Sequence, residues 1–128
     1  PTAMMLADRI AAGEVIAIAG DRIPTSGDRI VNAEFLGKQA PFPAGPYLIA
    51  SLLACPAYAM ACIRNGSGYA MKAEKLADGV ATPRGQRNAM IEEQARNYAG
   101  WLEQRVAESP FDWFNFFPFW DQAVRDEK

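Results

Sequence analysis

Residues 39–63 read QAPFPAGPYLIASLLACPAYAMACI and carry no charge. A run of that length and polarity would suit a bilayer span if one helix could run through it. Pro41, Pro43, Pro46 and Pro56, with Gly45 among them, forbid that helix. Each internal proline removes a backbone donor, and its ring collides with the preceding turn. The stretch must therefore fold inside a domain, as a buried helix followed by a strand. The segment APFPAGP reads as a Pro/Gly-rich connector. Gly45 can serve as N-cap and Pro46 as the first helical residue of the helix YLIASLLA, where a missing N–H costs little. Pro56 then stops it.

The flanking sequence predicts the rest of one α/β domain spanning residues 1–128, a length able to bury a real core. In residues 2–12, Ala3, Leu6 and Ile10 recur at helical spacing, and Gly13 is placed to end the helix. Residues 15–19, VIAIA, form a short continuous apolar run stopped by Gly20, the pattern of a central parallel strand buried on both faces. The loop IPTSGDR follows, with Pro24, Ser26 and Gly27 as turn formers. Residues 30–36 alternate, with Val31, Ala33 and Phe35 on one face and Asn32 and Glu34 on the other, as a half-exposed strand does. The runs AYAMACIR and YAMKAEKL flank NGSG, whose Asn65-Gly66 pair signals a hairpin. Residues 82–109 form the longest predicted helix, with Ile91, Ala95, Tyr98, Leu102 and Val106 as its apolar stripe. This order predicts a mixed, mostly parallel sheet with flanking helices.

Charge and residue usage exclude several functions. With 13 basic and 15 acidic residues well mixed, the chain shows no basic footprint for nucleic acid. Cys55 and Cys62 lack metal-ligand spacing and sit in apolar company, so both are expected to be reduced, buried, structural thiols. There is no histidine, which removes the commonest general base and a common metal ligand. NGSG lacks the first glycine of a nucleophile elbow and lies in a hairpin, and GSGYAM is no dinucleotide fingerprint. No cofactor and no metal is expected. No signal peptide is expected at the start, and the opening, PTAMMLADR without an initial Met, suggests a processed or excised piece of a longer protein.

Four residues are candidates for binding. Asp21 and Arg22 follow directly on VIAIA, and open α/β sheets bind ligands beyond the carboxyl ends of parallel strands. A solvated loop with a local ion pair explains them equally well. Arg29 could bring a second guanidinium, suited to phosphate or carboxylate, to the same mouth, although an isolated arginine is more often surface. Gly45, at a helix start, would offer free N–H groups and the positive end of a helix dipole.

Taken together, AGDR (19–22), EFLG (34–37), FPAGPYLIA (42–50) and CPAYAMACIR (55–64) resemble the C-terminal half of the bacterial lipid A biosynthesis (lauroyl/myristoyl) acyltransferase family, within the lysophospholipid and glycerolphosphate acyltransferase superfamily. The helix RNYAGWLEQRVAESP and the ending DWFNFFPFW extend the resemblance over nearly the whole chain. It implies acyl transfer from acyl carrier protein or acyl-CoA to a hydroxyl of a lipid or glycolipid acceptor, at the inner face of the bacterial inner membrane. It also implies catalysis by an H-x4-D/E motif in the family's N-terminal half, which a chain without histidine cannot contain. Carry-over is thus limited to Asp21, Arg22, Arg29 and Gly45 as acceptor-binding or pocket-shaping residues, with no catalytic residue. Where family members have Asp-Gln, this chain has Asp21-Arg22. A non-enzymatic, lipid-binding domain or pseudoenzyme on the same scaffold is the alternative. Exposed sheet edges would favour homo-oligomers.

The run PFDWFNFFPFW ends the ordered pattern. Pro118 opposes a continuous helix through it. Extended, it would place Trp113, Asn115, Phe117 and Phe119 on one face and Phe114, Phe116 and Trp120 on the other. Closure of a core is preferred to membrane contact.

Overall fold

In a computed structural model of the chain, residues 2–23 and 29–122 are described. Helix α1 (Thr2–Ala11) is followed by strands β1 (Ile30–Phe35) and β2 (Lys38–Pro43). Helix α2 (Gly45–Leu53), strands β3 (Ala57–Asn65) and β4 (Gly68–Ala77), and helix α3 (Arg87–Glu108) complete the order. Single 3-10 turns at Arg84–Gln86 and Pro110–Asp112 flank α3. The mixed α/β composition agrees with the sequence. The mostly parallel sheet does not: the strands form two separate antiparallel hairpins, β1 with β2 and β3 with β4.

Two local misreadings explain the difference. Residues 15–19, expected as a buried central strand, form no strand, and Val15 is 89% exposed. A strand's backbone bonds lie in its neighbours, and both described hairpins pair only within themselves. The supposed connector, in contrast, is largely β2. Leu36 and Gly37 both take positive φ, 52° and 79°, the two-residue turn that matches strand twist. Pairing runs outward from Phe35 with Lys38 to Ile30 with Pro43. Phe35 and Lys38 flank the turn as a hydrogen-bonded pair, so alternate positions, including Pro41 and Pro43, point their backbone nitrogens away from β1. Proline costs nothing at such sites, which is why a proline-rich segment forms a strand here.

Smaller corrections follow the same logic. Ala44, not Gly45, is the N-cap of α2, and Ala54 ends that helix in the left-handed region (φ 47°), ahead of Pro56. The loop between β3 and β4 is Gly66 and Ser67, one residue later than the Asn65-Gly66 pair, with Asn65 paired to Gly68. The long helix starts at Arg87 after its 3-10 turn, and the Thr82 N–H donates to the buried Ser51 hydroxyl (3.2 Å). Both thiols are free; Cys62 is exposed because the outer face of the β3–β4 hairpin is uncovered, and Cys55, just ahead of β3, is half-buried. The predicted turn residues Pro24, Ser26 and Gly27 lie outside the described residues.

The core forms where α3 crosses the first hairpin. Ala33 and Phe35 from β1 and Ala40 and Phe42 from β2 meet Ile91, Ala95, Ala99 and Leu102 of α3. The aromatic run closes it from the side. Phe119 is buried, and its ring lies 5.2 Å from Phe35 and 5.4 Å from Trp113. The Trp120 indole donates to the Phe35 carbonyl (3.2 Å). Trp120 thus belongs with the inward residues, against the two-face reading, because the run turns and bends rather than staying extended. Phe111, Phe114 and Phe116 project outward. No helix among the described residues is long and apolar enough to cross a membrane.

Candidate functional site

The buried stripe of α3 leaves two flanks with different chemistry. Tyr98 and Trp101 lie on one flank, their rings stacked at 6.2 Å. Gly20 packs directly against Tyr98: a Cβ there would fall 2.9 Å from the phenol Cζ, so only glycine allows the approach. The chain beyond Gly20 is clamped to the aromatic run. The Arg22 guanidinium sits over the Phe117 ring at 5.3 Å, and the Ile23 N–H donates to Gln122 Oε1 (3.1 Å). Gln122 in turn donates to the Phe119 carbonyl (3.0 Å).

This arrangement brings Asp21 near Tyr98, and Tyr98 in turn lies near Tyr47. Burial first, then the Asp21 carboxylate, pushes the Tyr98 hydroxyl well above the ordinary phenol range. Burial, then Tyr98, does the same to Tyr47, in the first turn of α2. Both phenols therefore stay protonated at neutral pH and can donate hydrogen bonds, but neither can serve as a base there. Tyr47 lies two residues beyond Gly45, where an added Cβ would meet nothing within 4 Å.

Arg29 points elsewhere. Its carbonyl accepts from the Ala44 N–H (2.9 Å), which places its main chain beside the start of α2. Its guanidinium instead donates to Asn88 Oδ1 (2.7 Å) on the far flank of α3. There it lines a groove of about 760 Å³ between β1 and α3, with Arg96, Glu34 and Glu92. Of the four residues picked from sequence, then, Asp21 lies near Tyr98, and Gly45 lies two residues before Tyr47. Arg22 braces the aromatic run and Arg29 opens onto a separate groove. Tyr47 and Tyr98 were legible only as apolar helix positions. The one signal for them was a hydroxyl on an otherwise aliphatic face.

The Ser51 hydroxyl is engaged by the Thr82 N–H, and the Ser109 hydroxyl is engaged by Asp112. Among the described residues no group of three or more His, Cys, Asp or Glu side chains could hold a metal.

Compared with known proteins, residues 4–122 match the sequence profile of the family described as bacterial lipid A biosynthesis acyltransferase. No curated protein matches the chain.

Proposed function

The chain belongs to the bacterial lipid A biosynthesis acyltransferase family, and on that premise we propose that it is the C-terminal portion of a membrane-associated acyltransferase. The donor in this reading is acyl carrier protein or acyl-CoA carrying a fatty acyl group. The acceptor is a hydroxyl of a lipid or glycolipid at the inner face of the bacterial inner membrane. The observation that carries the reading is the match over residues 4–122.

This chain's share of the work is acceptor binding. Tyr98 and Tyr47, kept protonated by burial, donate hydrogen bonds, and Asp21 accepts one from an acceptor hydroxyl. The start of α2 favours an anionic group through the Gly45 and Tyr47 N–H groups, since Pro46 has none and the Ala44 N–H is held by the Arg29 carbonyl. Arg22 braces the mouth on Phe117, and Arg29 serves an acceptor that extends into the neighbouring groove. With no histidine in residues 1–128, this reading takes the base for the attacking hydroxyl from the H-x4-D/E motif of the family's N-terminal half. Phe111, Phe114 and Phe116, exposed on a segment anchored by Trp113, Phe117 and Phe119, are the membrane contact in this reading.

The absence of histidine equally favours a second reading, a non-enzymatic lipid-binding domain or pseudoenzyme on the same scaffold. One experiment separates them. Acyl transfer from acyl-CoA and from acyl carrier protein is measured with residues 1–128 alone and with the reading frame extended upstream of Pro1. Activity only in the extended protein, lost when an upstream H-x4-D/E histidine is replaced, supports the enzyme. Activity in residues 1–128 alone, or an upstream frame without that motif, overturns it. In the same preparations, Phe114→Ser with Phe116→Ser should lower cosedimentation with phosphatidylethanolamine/phosphatidylglycerol vesicles and leave thermal unfolding unchanged.

A further inference from the structure

The first hairpin has two outer edges, and only one can accept another strand. Along β2 the outward positions are Gln39, Pro41 and Pro43, and the two prolines have no N–H to offer. That edge is blocked in the manner natural sheets use against unwanted pairing. Along β1 the outward positions are Ile30, Asn32 and Glu34, each with a complete backbone donor and acceptor. Among the described residues no strand pairs with them.

The open edge faces a vacant strand position. Five consecutive residues of β1, Ile30 through Glu34, line the groove of about 760 Å³. Side chains alternate across a strand, so a wall of successive residues is chiefly the strand's edge, and Gln39 of β2, paired with Glu34, extends it onto the hairpin's face at the turn end. Opposite stand Asn88, Glu92, Arg96 and Gly100 of α3, spaced four apart along one flank. They span roughly 18 Å of helix, the length of a strand of five or six residues. At Gly100 a Cβ would meet nothing within 4 Å, so that end of the groove is open.

The chain also holds an unpaired strand sequence of matching length. Residues 15–19 are uncharged and rich in β-branched residues, Val15 is 89% and Ile18 47% exposed, and they pair with no described strand. Within one molecule they are held away from the groove. Gly20 is packed on Tyr98, on the flank of α3 opposite Arg96 and Gly100.

We infer that residues 15–19 of a second copy of this chain add as a third strand to the open edge of β1. Exchanging the segment reciprocally makes a closed two-fold dimer and covers apolar surface that the monomer exposes. The inference does not depend on the acyl-transfer reading.

The test uses the whole chain and reads oligomeric state by sedimentation. The wild type should dimerise with rising concentration. Asn32→Pro removes the central outward N–H of β1, as proline already does on β2. It should raise the dimer dissociation constant about tenfold or more, the scale of an unmade hydrogen bond with its local misfit. Ile18→Lys, at an exposed position, should weaken the dimer comparably while monomer unfolding is unchanged, so the conclusion survives if the proline variant misfolds. With Cys55→Ala and Cys62→Ala in both, an Ala17→Cys chain mixed with an Asn32→Cys chain should form a mixed disulfide on oxidation. A monomer at every concentration, a dimer indifferent to both Asn32→Pro and Ile18→Lys, or no mixed disulfide would each overturn the inference.

Discussion

The two hairpins have nearly opposite relations to the core. β3–β4 is the longer, with strands of 9 and 10 residues against 6 and 6 for β1–β2. Yet the short hairpin supplies Phe35 and Phe42, both fully buried, and the long one supplies a single buried residue, Ala59. The inward face of β3 is Ala57, Ala59, Ala61 and Ile63, and much of its outward face, Tyr58 and Met60 with Tyr69 and Met71 of β4, is exposed. Stability is therefore expected to follow inward side-chain volume more than the number of paired residues.

The sharpest way to break this comparison is one truncation in each hairpin. Phe42→Ala should cost about 3–5 kcal/mol, since the ring meets Phe35, Tyr98 and Phe119 and leaves a hole between α3 and the hairpin. Met60→Ala should change stability by no more than about 0.5 kcal/mol. Paired urea denaturations decide it, and equal losses would show that β3–β4 carries hidden core weight. An intermediate effect comes from enlarging the small residue that packs β3. Ala59→Leu should destabilise by about 1–3 kcal/mol through overpacking, because the site is 3% exposed. A neutral result would mean that the second hairpin sits loosely on α3.

The smallest expected effect concerns the tether between the second hairpin and the aromatic run. Asp112 accepts hydrogen bonds from the Ser109 hydroxyl and the Arg64 N–H. The Ser109 bond, then the Arg64 N–H, holds its carboxyl below the ordinary 3.8. A folded pKa lowered in this way favours the ionised form in the folded state. Its contribution is whole above pH 3.8 and disappears as the pH falls below that value. Asp112→Asn should therefore lower the midpoint of thermal unfolding slightly at neutral pH and flatten its decline in acid. An unchanged acid limb would show that the tether contributes nothing.

The sequence pointed to Asp21 and Gly45 as candidates, but not to the residues packed around them. Asp21 could be picked because charge follows directly on an apolar run, and Gly45 because glycine precedes proline at a helix start. Tyr98 and Tyr47 could not be read the same way, since a tyrosine at helical spacing carries the same signal as any core aromatic. What distinguishes Tyr98 is the close approach of Gly20, a contact between positions far apart in the chain. Arg29 shows the same limit: the position was visible, but its direction was set by Asn88, 59 residues later.

By itself the sequence determined the local features. The prolines of residues 39–63 exclude a spanning helix, and the Asn65-Gly66 pair marks the second hairpin's turn to within one residue. Spacing alone revealed the stripe of α3, and the absence of histidine withholds the usual base. These depend on a residue and its near neighbours, since a helix or tight turn makes its hydrogen bonds within a few residues. Only the tertiary structure decided which apolar runs become strands. VIAIA has the better strand composition and pairs with nothing described, whereas the proline-bearing KQAPFP is β2. A strand's hydrogen bonds belong to its partner, so composition proposes a strand and only the neighbouring chain can make one.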